Sequence, residues 1–128
     1  MQTLIHYFLH FGLPVIVAYL LFRKEWIKIS FILLVTMLVD LDHLLATPIF
    51  KANRCSFGFH LLHSYYAIVL YFILLFLKKP YNIIGLGLLL HMVTDLIDCM
   101  FMYTNCKSCF TNAPAIKILE TFSNFLGL

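Results

Sequence analysis

At 128 residues, the chain has the length of a single domain. Hydrophobic residues make up 62% of it and charged residues 12%, with a mean hydropathy of +0.94; soluble domains run at about half and about a quarter. That balance excludes an ordinary water-solvated globule. The net charge of +3 comes from short basic clusters between apolar runs rather than a basic stripe interleaved with aromatics, so nucleic acid is not an expected partner.

In chain order, four apolar runs are each long enough to span a bilayer, at about residues 4–22, 27–47, 58–77 and 82–103. Lipid offers no water to backbone groups, so such runs must be helical. Period-two alternation is missing, which argues against a barrel. Arg23 and Lys24 follow the first run rather than precede it, so that run is expected to stay in the mature chain rather than be cleaved as a signal peptide. The connections Arg23–Glu25, residues 51–54 and Lys78–Asn82 are short and turn-like, with Pro80 in the last. Short connections make sequential helices antiparallel. The predicted fold is all-α: an integral-membrane four-helix up-down bundle forming one transmembrane domain.

The tail, 104–128, reads differently. Asn112 offers a cap with Pro114 just inside a helix start. Ile116, Leu119, Phe122 and Phe125 then recur at helical spacing, with Lys117, Glu120 and Asn124 elsewhere. A short amphipathic helix at the membrane surface is expected. Cys106 and Cys109 form a lone CxxC with no second pair at zinc-ribbon spacing; with Cys55 and Cys99 they read as thiols or a disulfide.

The chemistry-bearing residues sort to one side. His6 and His10 lie early in run one; Asp40, Asp42 and His43 late in run two; His60 and His63 early in run three; His91, Asp95 and Asp98 late in run four. Alternating helix direction points all of these stretches the same way. The set contains all six histidines and every aspartate, while the opposite half offers Tyr19, Tyr71 and Ser30. A charge at the bilayer centre costs about 2.5–3.5 kcal/mol on insertion scales, so such groups must be compensated by each other, by water or by metal. His6/His10 and His91/Asp95 are spaced i,i+4, with Asp98 continuing the latter face; Asp40/His43 and His60/His63 are spaced i,i+3. Asp42 falls off the Asp40/His43 face of a regular α-helix.

Imidazole and carboxylate suit zinc, with manganese and iron as alternatives. More candidates are present than one zinc can take, so either two ions bind or some carboxylates orient the ligating imidazoles. Asp95 or Asp98 is a candidate general base. Asn53 and Arg54, beside the cluster, are candidates to hold an anionic phosphate, and Ser64 to position substrate, or simply to pack. Two other roles use the same residue types: polar contacts between membrane helices, and a metal-ion or proton pathway. A pathway should continue through the opposite half.

Three motifs, Asp40-Leu-Asp42-His43, His60-Leu-Leu-His63-Ser64 and His91-Met-Val-Thr-Asp95, resemble in order the bacterial inner-membrane metal-dependent hydrolases regulated by the LexA repressor. With Asn53-Arg54-Cys55 and the flanking apolar residues, the stretch 1–103 resembles more closely a small bacterial membrane family carrying a domain of unknown function. The wider resemblance implies a metal-dependent hydrolase of the inner membrane, with phospholipids or other phosphoesters as substrates. It implies metal ligands at His6 or His10, Asp40, Asp42, His43, His60, His63, His91 and Asp95. The basic residues of loops one and three outnumber those opposite by one, which favours those loops as cytoplasmic and the site as periplasmic.

Overall fold

The structure is a computed structural model that describes residues 1–49 and 54–128. Among the described residues it is all-helical. Five α-helical stretches are labelled α1 (Gln2–Leu21), α2 (Trp26–Val35), α3 (Tyr65–Leu74), α4 (Tyr81–Asn105) and α5 (Ile116–Leu126). Two of them, α1 and α4, are long and apolar enough to cross a membrane.

The first and fourth predicted runs form helices of spanning length, while the second and third give shorter α-helices adjoined by 3₁₀ turns. In α1, residues Phe8–Gly12 widen into a π-type turn. Pro14 sits just beyond it; proline has no N–H to give and crowds the carbonyl four residues back, here that of His10. A π-type turn absorbs such a defect and re-aims the side chains around it, and His10 is the buried residue of this one. After α2 the chain tightens into a 3₁₀ segment, Thr36–Leu45. With three residues per turn, Thr36, Val39 and Asp42 align on its buried side. Asp42 therefore points inward in line with Thr36, whereas an α-helical period would turn it about 120° away from that residue.

The third run differs most from expectation. Its α-helix begins at Tyr65 rather than near residue 58. The preceding residues form a turn in which Gly58, at φ 77°, lets its N–H reach the His63 carbonyl at 2.8 Å; only glycine adopts this backbone conformation without strain. A short 3₁₀ turn, Leu61–His63, follows, and the Ser64 side chain caps α3 by accepting from the Ala67 N–H at 3.3 Å.

Contacts fix relative directions. Going up α1, Gln2, His6 and His10 meet Asp98, Asp98 and Asp95, so α1 and α4 are antiparallel. Going up α2 and its extension, Thr36, Met37 and Asp40 meet Gly87, His91 and His91, so these two run parallel. Gly85 and Gly87 make the close approaches: a methyl on Gly85 would lie 2.8 Å from the Tyr71 carbonyl, and one on Gly87 2.5 Å from Thr36 Oγ1. At the end away from the histidines, Lys79 Nζ meets Glu25 Oε2 at 3.0 Å, joining loops one and three and lowering the Glu25 pKa.

The tail forms a 3₁₀ turn, Lys107–Phe110, and then α5. The helix starts at Ile116 with Ala115 at its cap, rather than at Asn112. Leu119 and Ser123 are buried and Leu119 joins a core of Cys55, Phe57, Tyr71, Cys99, Tyr103 and Phe110, while Phe122, Phe125 and Leu126 stay exposed. Disulfides join Cys55 to Cys99 and Cys106 to Cys109.

Candidate metal centre

At the shared end of α1, the 3₁₀ segment, the Leu61–His63 turn and α4, four side chains converge. His63 Nε2 lies 3.1 Å from His91 Nε2, 3.1 Å from Asp95 Oδ2 and 3.6 Å from Asp40 Oδ1. His91 Nε2 lies 3.1 Å from Asp40 Oδ1 and 3.6 Å from Asp95 Oδ2. His63, His91 and Asp95 are buried, and Asp40 is half-exposed.

The ring protons follow from the far side of each imidazole. His63 Nδ1 is 3.0 Å from Asp42 Oδ2. His91 Nδ1 is 3.3 Å from the Met37 sulfur. A carboxylate and a thioether only accept, so in the neutral rings both Nδ1 atoms carry the proton. Both Nε2 atoms then aim lone pairs into the same space as two carboxylate oxygens. With both rings in that tautomer, four acceptor atoms face one another, and Asp95 Oδ2 is buried with no hydrogen-bond partner among the described residues. Such a set could hold a metal ion. A tetrahedral ion with ligands at about 2.0–2.1 Å has ligand–ligand edges of about 3.3 Å; the five distances above, from 3.1 to 3.6 Å, bracket that value. The residues present fit a divalent cation, and two nitrogens with two oxygens suit zinc, manganese or iron.

The remaining predicted residues take different places. Asp42 accepts from His63 and from the Leu62 N–H at 2.8 Å, so it orients a ligating ring rather than facing the four-atom gap. His10 Nε2 contacts the other oxygen of Asp95 at 3.4 Å, and His6 Nδ1 contacts Asp98 at 3.7 Å. The Asp98 carboxylate also accepts from Gln2 Nε2 at 3.0 Å. His43 lies beside Asp40 and Asp42 at 3.4 and 3.3 Å, and with Asp42 and His63 it makes a second group within ligand distance. His60 is buried against the His43 ring, centroids 4.1 Å apart.

All six histidines and four aspartates are thus brought to one end. Arg54, an expected phosphate-holding residue, is engaged elsewhere. The Arg54 guanidinium donates to the Pro48 carbonyl at 2.6 Å and to that of Ile49, and stacks on Phe59. Those bonds commit it to its own loop, and it lines a neighbouring cavity. Ser64 is spent on capping α3. Asn53 lies outside the described residues.

A cleft of about 440 Å³ opens onto the centre; Asp40, His43, Ser56, Asp95 and Asp98 lie on its wall among apolar side chains. Contacts not anticipated from the sequence include Met37 behind His91, Gln2 on Asp98, Ser56 on His43, and Thr94 between His10 and the His91 carbonyl. Thr94 lies i+3 from His91, a readable spacing. Met37 and His91 are 54 residues apart, and no local pattern links them.

A search of curated proteins and one of solved structures each return no match. A family model described as "Family of unknown function (DUF6122)" matches residues 1–102, from the start of α1 nearly to the end of α4, and so spans the entire His/Asp cluster. The chain belongs to the DUF6122 family.

Proposed function

We propose that this chain is a membrane-embedded, metal-dependent hydrolase of phosphoester substrates such as phospholipids. Asp40, His63, His91 and Asp95 would hold a divalent cation, most simply one zinc ion, near one membrane face. The observation that carries this reading is the convergence of two imidazole lone pairs and two carboxylate oxygens at tetrahedral spacing. The cation would supply Lewis acidity to a bound phosphoryl oxygen. Asp42 fixes the His63 ring, and the half-exposed Asp40 lets the centre meet the cleft. Asp98, on the cleft wall and outside the four-atom cluster, is the remaining carboxylate available as a general base. The resemblance of the motif order to that of the LexA-regulated hydrolases supports the same chemistry.

The bilayer setting rests on surface chemistry. Leu4, Leu21, Ile27, Phe31, Leu45 and Phe76 are each well over half exposed, and contiguous apolar exposure on that scale marks contact with lipid or a partner. The cluster would face the periplasm of a bacterial inner membrane, with loops one and three cytoplasmic.

Hydrolysis of phosphodiester and phospholipid substrates by the detergent-purified chain, with and without zinc or manganese, tests the reading. Metal-dependent turnover should fall at least about a hundredfold in His91→Ala and Asp95→Ala. Turnover unaffected by either substitution would contradict it. One observation favours ion passage instead: Ser30 Oγ and Asn82 Oδ1, toward the opposite end, are buried without partners among the described residues. Zinc flux into proteoliposomes, abolished by Ser30→Ala, would establish that alternative.

A further inference from the structure

The cleft contains an arrangement that the four-atom centre does not use. Ser56 Oγ lies 2.7 Å from His43 Nε2. On the other side of that ring, His43 Nδ1 is 3.0 Å from the main-chain carbonyl of Asp40 and 3.3 Å from Asp42 Oδ1. A carbonyl oxygen can only accept, so Nδ1 carries the ring proton. The neutral ring then presents its Nε2 lone pair to Ser56, and the serine hydroxyl donates to it. Among the described residues Asp42 Oδ1 is buried with no hydrogen-bond partner, while its sister oxygen is held by His63 and the Leu62 N–H. A fixed carboxylate oxygen is therefore left over to offset positive charge on His43. Hydroxyl and imidazole stand in the order of nucleophile and base, with the Asp40 carbonyl orienting the ring and the Asp42 carboxylate beside it.

The surroundings suit that role. Ser56 follows Cys55, which is tied to Cys99 on α4. Its carbonyl accepts from the N–H groups of Phe59 and His60, so its backbone is anchored from both directions. The side chain is only partly buried, and Ser56 and His43 share the cleft wall with Asp40 and Asp95. A hydroxyl kept merely for packing would not need to face the cleft that opens onto the centre.

We propose that Ser56 is the nucleophile of this cleft toward phosphoesters, with His43 as its general base, held by the Asp40 main-chain carbonyl, and the Asp42 carboxylate beside it to offset the charge that forms on the ring. This rests on reading the cleft as a hydrolytic site. The Oγ–phosphorus bond forms as the bond from phosphorus to the leaving alkoxide breaks. The hydroxyl proton passes to His43 Nε2 and on to the leaving oxygen. Water then attacks the phosphoserine, giving its proton through His43 back to Ser56 Oγ as the Oγ–phosphorus bond breaks.

An alkyl fluorophosphonate probes the first half of this sequence directly, with fluoride as the leaving group. The detergent-purified full chain is incubated with the probe, digested and mapped by mass spectrometry, and the metal content of the same samples is measured. A single adduct on Ser56 is expected. It should be lost in Ser56→Ala, form at least about a hundredfold more slowly in His43→Gln, and persist in Ser64→Ala. Because the adduct is mapped in the unmodified chain, the outcome does not depend on a variant folding. A metal-loaded chain that gives no adduct on Ser56, or that labels as fast in His43→Gln, overturns the nucleophile and leaves the cation centre standing. An adduct on Ser56 in a chain that binds no metal keeps the nucleophile and overturns the metal-dependent reading.

Discussion

Asp42 illustrates how a single side chain decides the chemistry of another. Its bond to His63 Nδ1 sets the tautomer that frees Nε2 for a cation, and the removal of such an orienting partner typically lowers metal affinity by about 10–100-fold. Asp42→Asn is therefore expected to weaken zinc binding by that factor in a chelator competition while leaving the fold intact; unchanged affinity would remove Asp42 from the centre. His91/Asp95 was legible as a pair because an α-helix puts residues four apart on one face. The inward turn of Asp42 was not, because the change from α to 3₁₀ at Thr36 leaves no mark in composition: Thr36-Met-Leu-Val-Asp40 has ordinary helical residues. Arg54 was misplaced for a related reason. A basic residue beside a polar cluster suggests an anion contact, but the nearby Pro48 and Ile49 carbonyls claim its guanidinium first.

Among the elements, α4 organises the rest: it meets α1 through Asp95 and Asp98, α2 and its extension through Gly87 and His91, and α3 through Gly85. The contact at Gly87 leaves no room for a side chain, with Thr36 Oγ1 2.5 Å from where a methyl would sit. Gly87→Val should cost about 1–3 kcal/mol through overpacking and displace Asp40 from the centre, read as a lowered unfolding midpoint together with lost metal; a variant as stable as the parent would show that the helices are not held this closely. The Cys55–Cys99 disulfide closes a separation of 44 residues, for which a stabilisation of about 2–4 kcal/mol is typical. Cys55→Ser with Cys99→Ser should lose about that much in denaturant unfolding, and no loss would indicate that the bond does not form. Four of the helices were visible as apolar runs. The late start of α3 was obscured by Phe57, Phe59, Leu61 and Leu62 before it, although Gly58 signals the turn and Ser64 is a cap residue ahead of the apolar run. The helix α5 was anticipated, yet its apolar face is divided: Leu119 packs into the core, and Phe122 and Phe125 remain exposed.

At the scale of the whole molecule, the sequence sorts every histidine and aspartate to the same end, and the structure brings them together there. Glu25 and Lys79 pair at one end, and the ten imidazole and carboxylate side chains gather at the other. A molecule with so many exposed leucine, isoleucine and phenylalanine side chains is expected to remain in the membrane pellet after an alkaline carbonate wash; release into the supernatant would contradict a bilayer setting. The up-down expectation anticipated the gathering because it depends only on helix direction, whereas the identity of the four converging atoms depends on rotamers and on the two 3₁₀ segments.

The most direct measurement is X-ray absorption at the metal edge of the detergent-purified protein, combined with metal quantification of the parent chain and of a variant carrying His63→Ala and His91→Ala. The expected result is about one tightly bound divalent ion per chain, a first shell of about four nitrogen and oxygen ligands at about 2.0–2.1 Å with imidazole scattering, and loss of the ion in the variant. A parent chain without metal, a shell containing sulfur, or equal metal in parent and variant would contradict a centre built from Asp40, His63, His91 and Asp95.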